Sequence, residues 1–417
     1  MQLLRYFYTF IYYLAAPLLS IRWLYKSFQP PQYREPMRER FGFVARQDKP
    51  SIWFHAVSMG EASAAINLIN KLLLENPELN IVVTTTTPTG ARLIKNALNN
   101  RITHHYTPCD LPGTIKRFSN RIHAKLLVIL ETELWPNWLH YVNKKQIPIV
   151  LANARLSEKS ADQYKKISSL SKQMMTNLSK VLAVNEADGE RFLQLGLQPE
   201  KLLISGNVKY DISVPELQSE DYFPLWQQEL VWIAASTHKG EDELILQAHG
   251  EVLQQIPNAK LILVPRHPER FEQVGQLIQQ NSYSYLRRSD PSNWRKDAQV
   301  LLGDTMGELM QAFSCASVAF MGGSLVPIGG HNAIEPAVLG KPVITGPYIH
   351  NFSQLFEALI FHNGAQMVDS SQQLSQSVLN LLVDVNKAKE MGENAKKVIL
   401  SSQGALEKTV KAIQEYI

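Results

Sequence analysis

Residues 126–137 read Leu126-Leu127-Val128-Ile129-Leu130-Glu131-Thr132-Glu133-Leu134-Trp135-Pro136-Asn137. Five apolar residues stop at two carboxylates, and a proline follows where a helix would begin. A short apolar run bounded by polar residues reads as a strand buried on both faces of a parallel sheet, and proline suits the first helical position. The same pattern recurs on either side. The runs 52–56, 81–85, 149–152, 181–184 and 202–205 repeat it, with amphipathic stretches such as 61–74 and 186–195 between them. A second series follows at 231–235, 261–264, 300–302, 318–321 and 343–345, and from residue 371 the pattern is helical only, at 371–383, 387–401 and 405–416. Pro215, Pro224 and several acids break the periodicity at 211–228. The fold class is therefore α/β, with two doubly wound, Rossmann-like domains whose strand ends would face each other across one ligand cleft. The expected boundaries are a helix at 1–30, a first domain at 31–210, a linker at 211–228, a second domain at 229–385 and C-terminal helices at 386–417.

Length and composition agree with this. The chain has 417 residues, 45% hydrophobic and 19% charged, enough for two or three domains and too apolar for global disorder. Cys109 and Cys315 stand far apart with no C-x-x-C pair, which excludes a disulfide framework and a cysteine-built zinc site and fits a reducing, cytosolic setting. The net charge is +4, but eight basic residues and three acids fall in the first fifty, so the remainder is slightly acidic. That distribution argues against a nucleic-acid face and for contact with anionic lipid.

The apolar segment lies beside this positive charge. Residues 6–21 carry no charge, and as a helix they reach about 24 Å, short of the roughly 30 Å hydrocarbon core. Tyr6, Tyr8, Tyr12, Tyr13, Trp23 and Tyr25 suit the headgroup level, and the basic residues that follow would leave the rest of the chain in the cytoplasm. No small-residue cleavage site precedes Arg22. The expectation is an uncleaved anchor or a monotopic insertion, with a buried first helix as the alternative.

Several strand ends carry polar side chains that could do chemistry. After the run 52–56 come Val57-Ser58-Met59-Gly60-Glu61-Ala62, where Gly60 would give a tight turn and Glu61 would begin a helix; its carboxylate could accept a proton from a hydroxyl, or merely complement the helix dipole. Glu131 and Glu133 could act near a transferring group or cap a helix. Lys209, in Gly206-Asn207-Val208-Lys209-Tyr210-Asp211, could stabilise a departing phosphate or simply be solvated.

In the second half, Ser236-Thr237-His238-Lys239 could cradle phosphate or cap a helix, and Arg266 could offer a planar fork or form a structural ion pair. Met306-Gly307-Glu308 combines close backbone approach with an acceptor for ribose. The string Gly322-Gly323-Ser324-Leu325-Val326-Pro327-Ile328-Gly329-Gly330-His331-Asn332-Ala333-Ile334-Glu335-Pro336 would free its backbone for a phosphate and set Asn332 and Glu335 on one helical face. No H-E-x-x-H, P-loop or G-x-S-x-G pattern occurs, and the adjacent His104-His105 side chains should diverge.

Taken in order, Ser58 to Ala62, Glu131 to Asn137, Asn153-Ala154-Arg155-Leu156-Ser157, Gly206 to Asp211 and Gly329 to Pro336 resemble the bacterial Kdo transferases, over essentially the whole chain. The resemblance implies a GT-B fold and an inverting, metal-independent transfer of 3-deoxy-D-manno-oct-2-ulosonic acid (Kdo) from CMP-Kdo to a lipid A precursor, with no cofactor. The place would be the cytoplasmic side of the inner membrane. It implies that Glu61 is the general base and that Glu131 and Lys209 stabilise the transition state. CMP would lie on Pro265 and Arg266, on Met306, Gly307 and Glu308, and on Asn332, Ala333, Ile334 and Glu335. Arg155 and His267 are added as candidate substrate contacts. The alternatives are a GT-B transferase or epimerase acting on a nucleoside-diphosphate sugar, and a non-catalytic, membrane-tethered nucleotide-sugar-binding protein.

Overall fold

The computed structural model describes residues 2–27, 37–211, 222–226 and 228–417, and the chain divides into two compact units. Unit 1 comprises Met1–Asp211 and Gln403–Ile417; unit 2 is Ile212–Ser402. Of the expected linker at 211–228, residues 212–221 and 227 lie outside the described residues, as do 1 and 28–36. The segment 386–417 is shared, because the helix Val385–Ser401 belongs to unit 2 and Ala405–Gln414 to unit 1.

Unit 1 is built on a seven-stranded sheet of β1 (Ser51–Ala56), β2 (Ile81–Thr85), β3 (Thr103–Tyr106), β4 (Ala124–Leu130), β5 (Ile149–Ala154), β6 (Lys180–Ala183) and β7 (Leu202–Ile204). All its pairings are parallel and the order is β3-β2-β1-β4-β5-β6-β7. Alternate residues of the central strands feed two separate cores. Trp53, Leu127 and Ile129 join one, where Trp53 meets Trp138 at a centroid distance of 4.6 Å and Phe118 at 4.9 Å. Ile52, Phe54, Leu126 and Val128 join the other, beneath the helix Met59–Glu75. Two-sided burial is why these strands read as unbroken apolar runs.

Unit 2 repeats the plan with β8 (Val231–Thr237), β9 (Lys260–Pro265), β10 (Tyr285–Arg287), β11 (Val300–Leu302), β12 (Val318–Met321), β13 (Val343–Thr345) and β14 (Ala365–Met367), ordered β10-β11-β9-β8-β12-β13-β14 and again parallel. Three strands absent from the sequence reading, β3, β10 and β14, each form a sheet edge. An edge strand need not be apolar on both sides, so it shows no continuous run. In β3 the two histidines do diverge: His104 Nε2 lies 2.9 Å from Thr85 Oγ1 and His105 Nδ1 lies 3.1 Å from Glu39 Oε1.

The N-terminal helix, Gln2–Ser27, packs on unit 1 with its polar side inward. Arg5 and Thr9 are buried, and both donate to Asn137 Oδ1 at 3.1 Å. Leu3, Phe7, Phe10, Leu14, Leu18 and Ile21 are exposed. An ordinary surface helix has the opposite arrangement. Among the described residues no helix is long and apolar enough to cross a membrane.

The chain end is tied back to unit 1 by Asp211, whose carboxylate accepts N–H groups of Gly404 and Leu406, both at 2.6 Å, at the start of Ala405–Gln414. Asp211→Ala removes this cap, and we expect a loss of about 1–2 kcal/mol, checked by chemical denaturation of wild type and variant side by side.

Candidate active site

The order of each sheet reverses beside its first strand, between β1 and β4 in unit 1 and between β8 and β12 in unit 2. Connections leave in opposite directions there, so the carboxyl ends of the two strands border a crevice that no crossover covers. In unit 1 those ends supply Glu61, five residues past the end of β1 and the third residue of the helix Met59–Glu75, and Glu131, the residue directly after β4.

Glu61 is in the first turn of Met59–Glu75 and completes a capping box with Ser58. Its Oε2 accepts the Val57 N–H at 2.6 Å, and its Oε1 accepts the Ser58 hydroxyl at 2.8 Å. These bonds fix the carboxylate in place. Burial raises its proton affinity above the usual carboxylate range, with the charge of Glu131 adding to the effect. Gly60 is helical, so the expected tight turn is absent; a Cβ there would stand 3.7 Å from Lys209 Nζ.

Glu131 adopts a left-handed backbone (φ 57°), rare for a side-chain-bearing residue, and is held there by its N–H bond to Ala152 O at 2.9 Å. Its Oε1 accepts from Lys209 Nζ at 2.6 Å. Lys209 is positioned in turn by Asn153, fully buried in β5, whose Oδ1 accepts the Val208 N–H at 3.1 Å. Asn153 also has a left-handed backbone (φ 52°), within the stretch where β5 slips register against β6. Its role was not read from the sequence, although it opens one of the quoted motifs.

Glu133 is the third carboxylate. It accepts from Trp135 Nε1 at 3.0 Å and is pushed up to about 7, by burial first and then by Glu61 and Glu131. Arg155, after β5, accepts the Thr132 hydroxyl on its carbonyl, and its charge reaches the Tyr210 phenol. The structure thus gathers Glu61, Glu131, Glu133, Lys209 and Arg155 at one end of one sheet, with two carboxylates that hold protons more tightly than usual and one that is neutralised by lysine.

In unit 2 a hollow opens beside β9, lined by Tyr222, Ser236, Pro265, Arg266, Met306, Gly307 and Glu308, among others. Five of the expected nucleotide contacts therefore share one wall. Gly307 has φ 86°, a backbone region that favours glycine. Glu308 accepts from Arg288 and the Thr305 hydroxyl, at 3.0 and 2.5 Å, one bond on each carboxylate oxygen. Two local expectations need correction. Ser236 and Thr237 do not start a helix; the helix begins at Asp242, whose carboxylate takes the Thr237 hydroxyl at 2.6 Å and pairs with Arg270. Asn332 is outside the helix Ile334–Val338, and its Oδ1 accepts the Ile334 N–H at 3.1 Å, so Asn332 and Glu335 do not share a helical face.

The glycine-rich string also differs from expectation. The N–H groups of Gly323, Ser324 and Leu325 converge on Glu241, at 2.6, 2.9 and 2.9 Å. Those of Gly322, Gly329 and Gly330 bind Ala235 and Gly323 carbonyls. An internal carboxylate already occupies the place of an anion there. The string folds back instead, delivering His331 to the end of β8, where its Nε2 lies 2.8 Å from His238 Nε2. Ala333 is buried, and Glu335 is raised by burial. Among the described residues no group of His, Cys, Asp and Glu is arranged to hold a metal ion.

Two doubly wound parallel sheets, each with polar side chains at its switch point, define a two-domain α/β protein of the GT-B type. The fold matches UDP-GlcNAc 2-epimerase from Neisseria meningitidis with a TM-score of 0.58 over 88% of this chain and 99% of that one, at 14% identity. Residues 35–212 match the family described as 3-Deoxy-D-manno-octulosonic-acid transferase (kdotransferase). The 3-deoxy-D-manno-octulosonic acid transferase of Haemophilus influenzae is 39% identical over 99% of each chain, and that of Bordetella pertussis is 32% identical over 91% of each. The chain belongs to the 3-deoxy-D-manno-octulosonic acid transferases.

The acidic group makes stability depend on pH. Glu133 titrates at about 7 against an ordinary 4.5, so the folded state holds a proton that the unfolded state releases between those values. Its contribution therefore falls as pH rises through that window. Glu133→Gln should leave the melting temperature near that of wild type at pH 5 and raise it relative to wild type at pH 8, as scanned by calorimetry at both values.

Proposed function

We propose that this chain is an inverting glycosyltransferase that moves Kdo from CMP-Kdo to a hydroxyl of a lipid A precursor, lipid IVA, in lipopolysaccharide core biosynthesis. The observation that carries the catalytic reading is the group at the β1/β4 switch point: a fixed, buried carboxylate on Glu61 beside the Glu131–Lys209 pair. Full-length identity to transferases of this name sets aside the epimerase and the non-catalytic binding protein.

In this reading the acceptor hydroxyl gives its proton to Glu61. The oxygen attacks the anomeric carbon of Kdo on the face opposite the phosphate. The carbon–oxygen bond to CMP breaks, and its electron pair leaves on the phosphate. Glu61 suits the base because its raised proton affinity makes it a better acceptor than a solvated carboxylate, while its two backbone-side bonds hold it ready. Glu131 holds the Lys209 side chain in place, so that its ammonium faces the charge that develops during transfer. Arg155 supplies a further cation for the acid sugar or a lipid phosphate. The donor nucleotide would lie along Pro265, Arg266, Met306 and Gly307, with the 332–335 segment as a further contact and His267 beside Arg266. Glu308 would act through Arg288 and Thr305, which hold it in place.

The N-terminal helix would bring the enzyme to its lipid substrate. Its exposed Leu3, Phe7, Phe10, Leu14 and Leu18 form an apolar surface on a helix whose polar side is fastened to unit 1. This supports a helix lying in the interface of an anionic membrane, on the cytoplasmic side of the inner membrane.

Glu61→Gln should lower transfer from CMP-Kdo to lipid IVA by about 10²–10⁴-fold with CMP affinity little changed, measured by mass spectrometry of the product and by calorimetry. Near-normal turnover would remove the base assignment. Wild-type transfer should fall as pH drops through the raised titration of Glu61, since only the ionised carboxylate accepts the proton. Replacing Phe7, Phe10 and Leu14 with serine should release the protein from phosphatidylglycerol vesicles in a flotation assay while its circular dichroism spectrum is retained.

A further inference from the structure

Three imidazoles converge at the β8/β12 switch point. His238 follows β8, His267 follows β9, and His331 is delivered by the folded-back glycine string. The His238 and His331 ring centroids are 5.0 Å apart and their planes differ by 5°. Their Nε2 atoms are 2.8 Å apart, so the centroid separation exceeds the nitrogen separation by about one ring width. The rings therefore lie nearly in one plane and meet edge to edge, nitrogen to nitrogen. Two bare nitrogens repel at that distance, so a proton must lie between them.

The tautomers follow. In the neutral pair one ring carries its proton on Nε2 and the other on Nδ1. The outer nitrogens are then one donor and one acceptor. One additional proton converts the acceptor into a donor, and the pair becomes a cation with N–H on both outer edges.

The surroundings favour that change only when an anion is present. Arg266 and His267 act on both rings, and Arg270 acts on His238. His267 meets His238 edge-on at 5.3 Å. The nearby carboxylate, Glu241, receives the His238 backbone N–H at 2.9 Å but also three N–H groups of the glycine string, so its charge is already engaged. Burial and these cations draw His331 down to about 4 and lower His238, which leaves the pair uncharged at neutral pH with nothing bound. Arg266, beside it, lines the hollow of unit 2; its backbone N–H donates to Thr237 O at 3.0 Å, while its guanidinium has no hydrogen bond or ion pair among the described residues.

We propose that the His238–His331 pair takes up one proton from solvent when a phosphate settles beside Arg266, and so becomes a cationic donor to that phosphate. This deepens, and rests on, the reading of unit 2 as the CMP-Kdo unit. It also links the pair to the reaction. The phosphate of the donor is a diester with one negative charge; when the bond to the sugar breaks it becomes a monoester able to carry two. A pair that protonates as that charge grows binds the departing group more strongly than the intact donor, which is the differential binding that speeds a reaction.

The test is titration calorimetry of the full chain with CMP at pH 7, in buffers of different ionisation enthalpy. The expected result is net proton uptake of up to one per nucleotide, and an affinity that weakens as pH rises, approaching about tenfold per pH unit at full coupling. The sign is diagnostic. A phosphate monoester titrates near pH 6, so a site of fixed cations would make CMP release protons on binding. Cytidine, which has no phosphate, should show no uptake. His331→Gln and His238→Gln should each abolish uptake and flatten the pH dependence while CMP still binds. Proton release, or no exchange, on wild-type CMP binding overturns the inference and leaves the donor reading standing, and this measurement depends on no variant. Undiminished uptake in both variants also overturns it. Failure of CMP to bind the wild-type chain overturns the donor reading itself, and the inference with it.

Discussion

A parallel sheet must return its chain to the same end after every strand, and where the strand order reverses the return paths part. That constraint creates the crevices at β1/β4 and β8/β12, and most of what can do chemistry in this protein lies at one of them. Strands buried on both faces leave no freedom in register, because a shift of one residue would move the Trp53 side of β1 into the core that holds Ile52 and Phe54. The sheet therefore fixes where the chain emerges. Glu131 emerges with a strained backbone at the end of β4, and the sheet supplies the bond to Ala152 that keeps it there.

Charge placement at the two crevices follows opposite logic. In unit 1, the charge of Glu131 adds to burial in raising the proton affinity of Glu61, the charges of Glu61 and Glu131 do the same for Glu133, and a single lysine is bound to Glu131. Such an arrangement favours accepting a proton. In unit 2, Arg266, His238, His267 and His331 collect instead, while Glu241 is turned away into the glycine string. That arrangement favours receiving an anion. A glycosyl transfer from a nucleotide donor needs both properties, one for the incoming alcohol and one for the outgoing phosphate.

The glycine string shows how a correct family resemblance can coexist with an incorrect local mechanism. Read alone, four glycines near a strand end look like a phosphate cradle. Their N–H groups are all consumed inside the protein, and the close approach they permit serves packing: a Cβ on Gly322 would stand 2.6 Å from Ser236 O. What the string contributes is the position of His331. The N-terminal helix offers a similar lesson. Its hydropathy was plain, yet only the docked structure shows Arg5 and Thr9 fastened to Asn137 with the apolar side left outward.

Sequence by itself determined the two α/β series, the placement of acids at strand ends, and the absence of cysteine or histidine spacing for a metal. These are local: an apolar run of five residues must be buried, and a residue after it must emerge at the carboxyl end of the strand. Edge strands β3, β10 and β14 escaped because one-sided burial imposes no such run. Tertiary structure alone decided which emergent side chains meet. Glu131 finds Lys209 across 78 positions of chain, and His238 finds His331 across 93. No local pattern encodes those separations, because they are set by the order in which strands add to a sheet, and the proton affinities that follow depend on the neighbours so assembled.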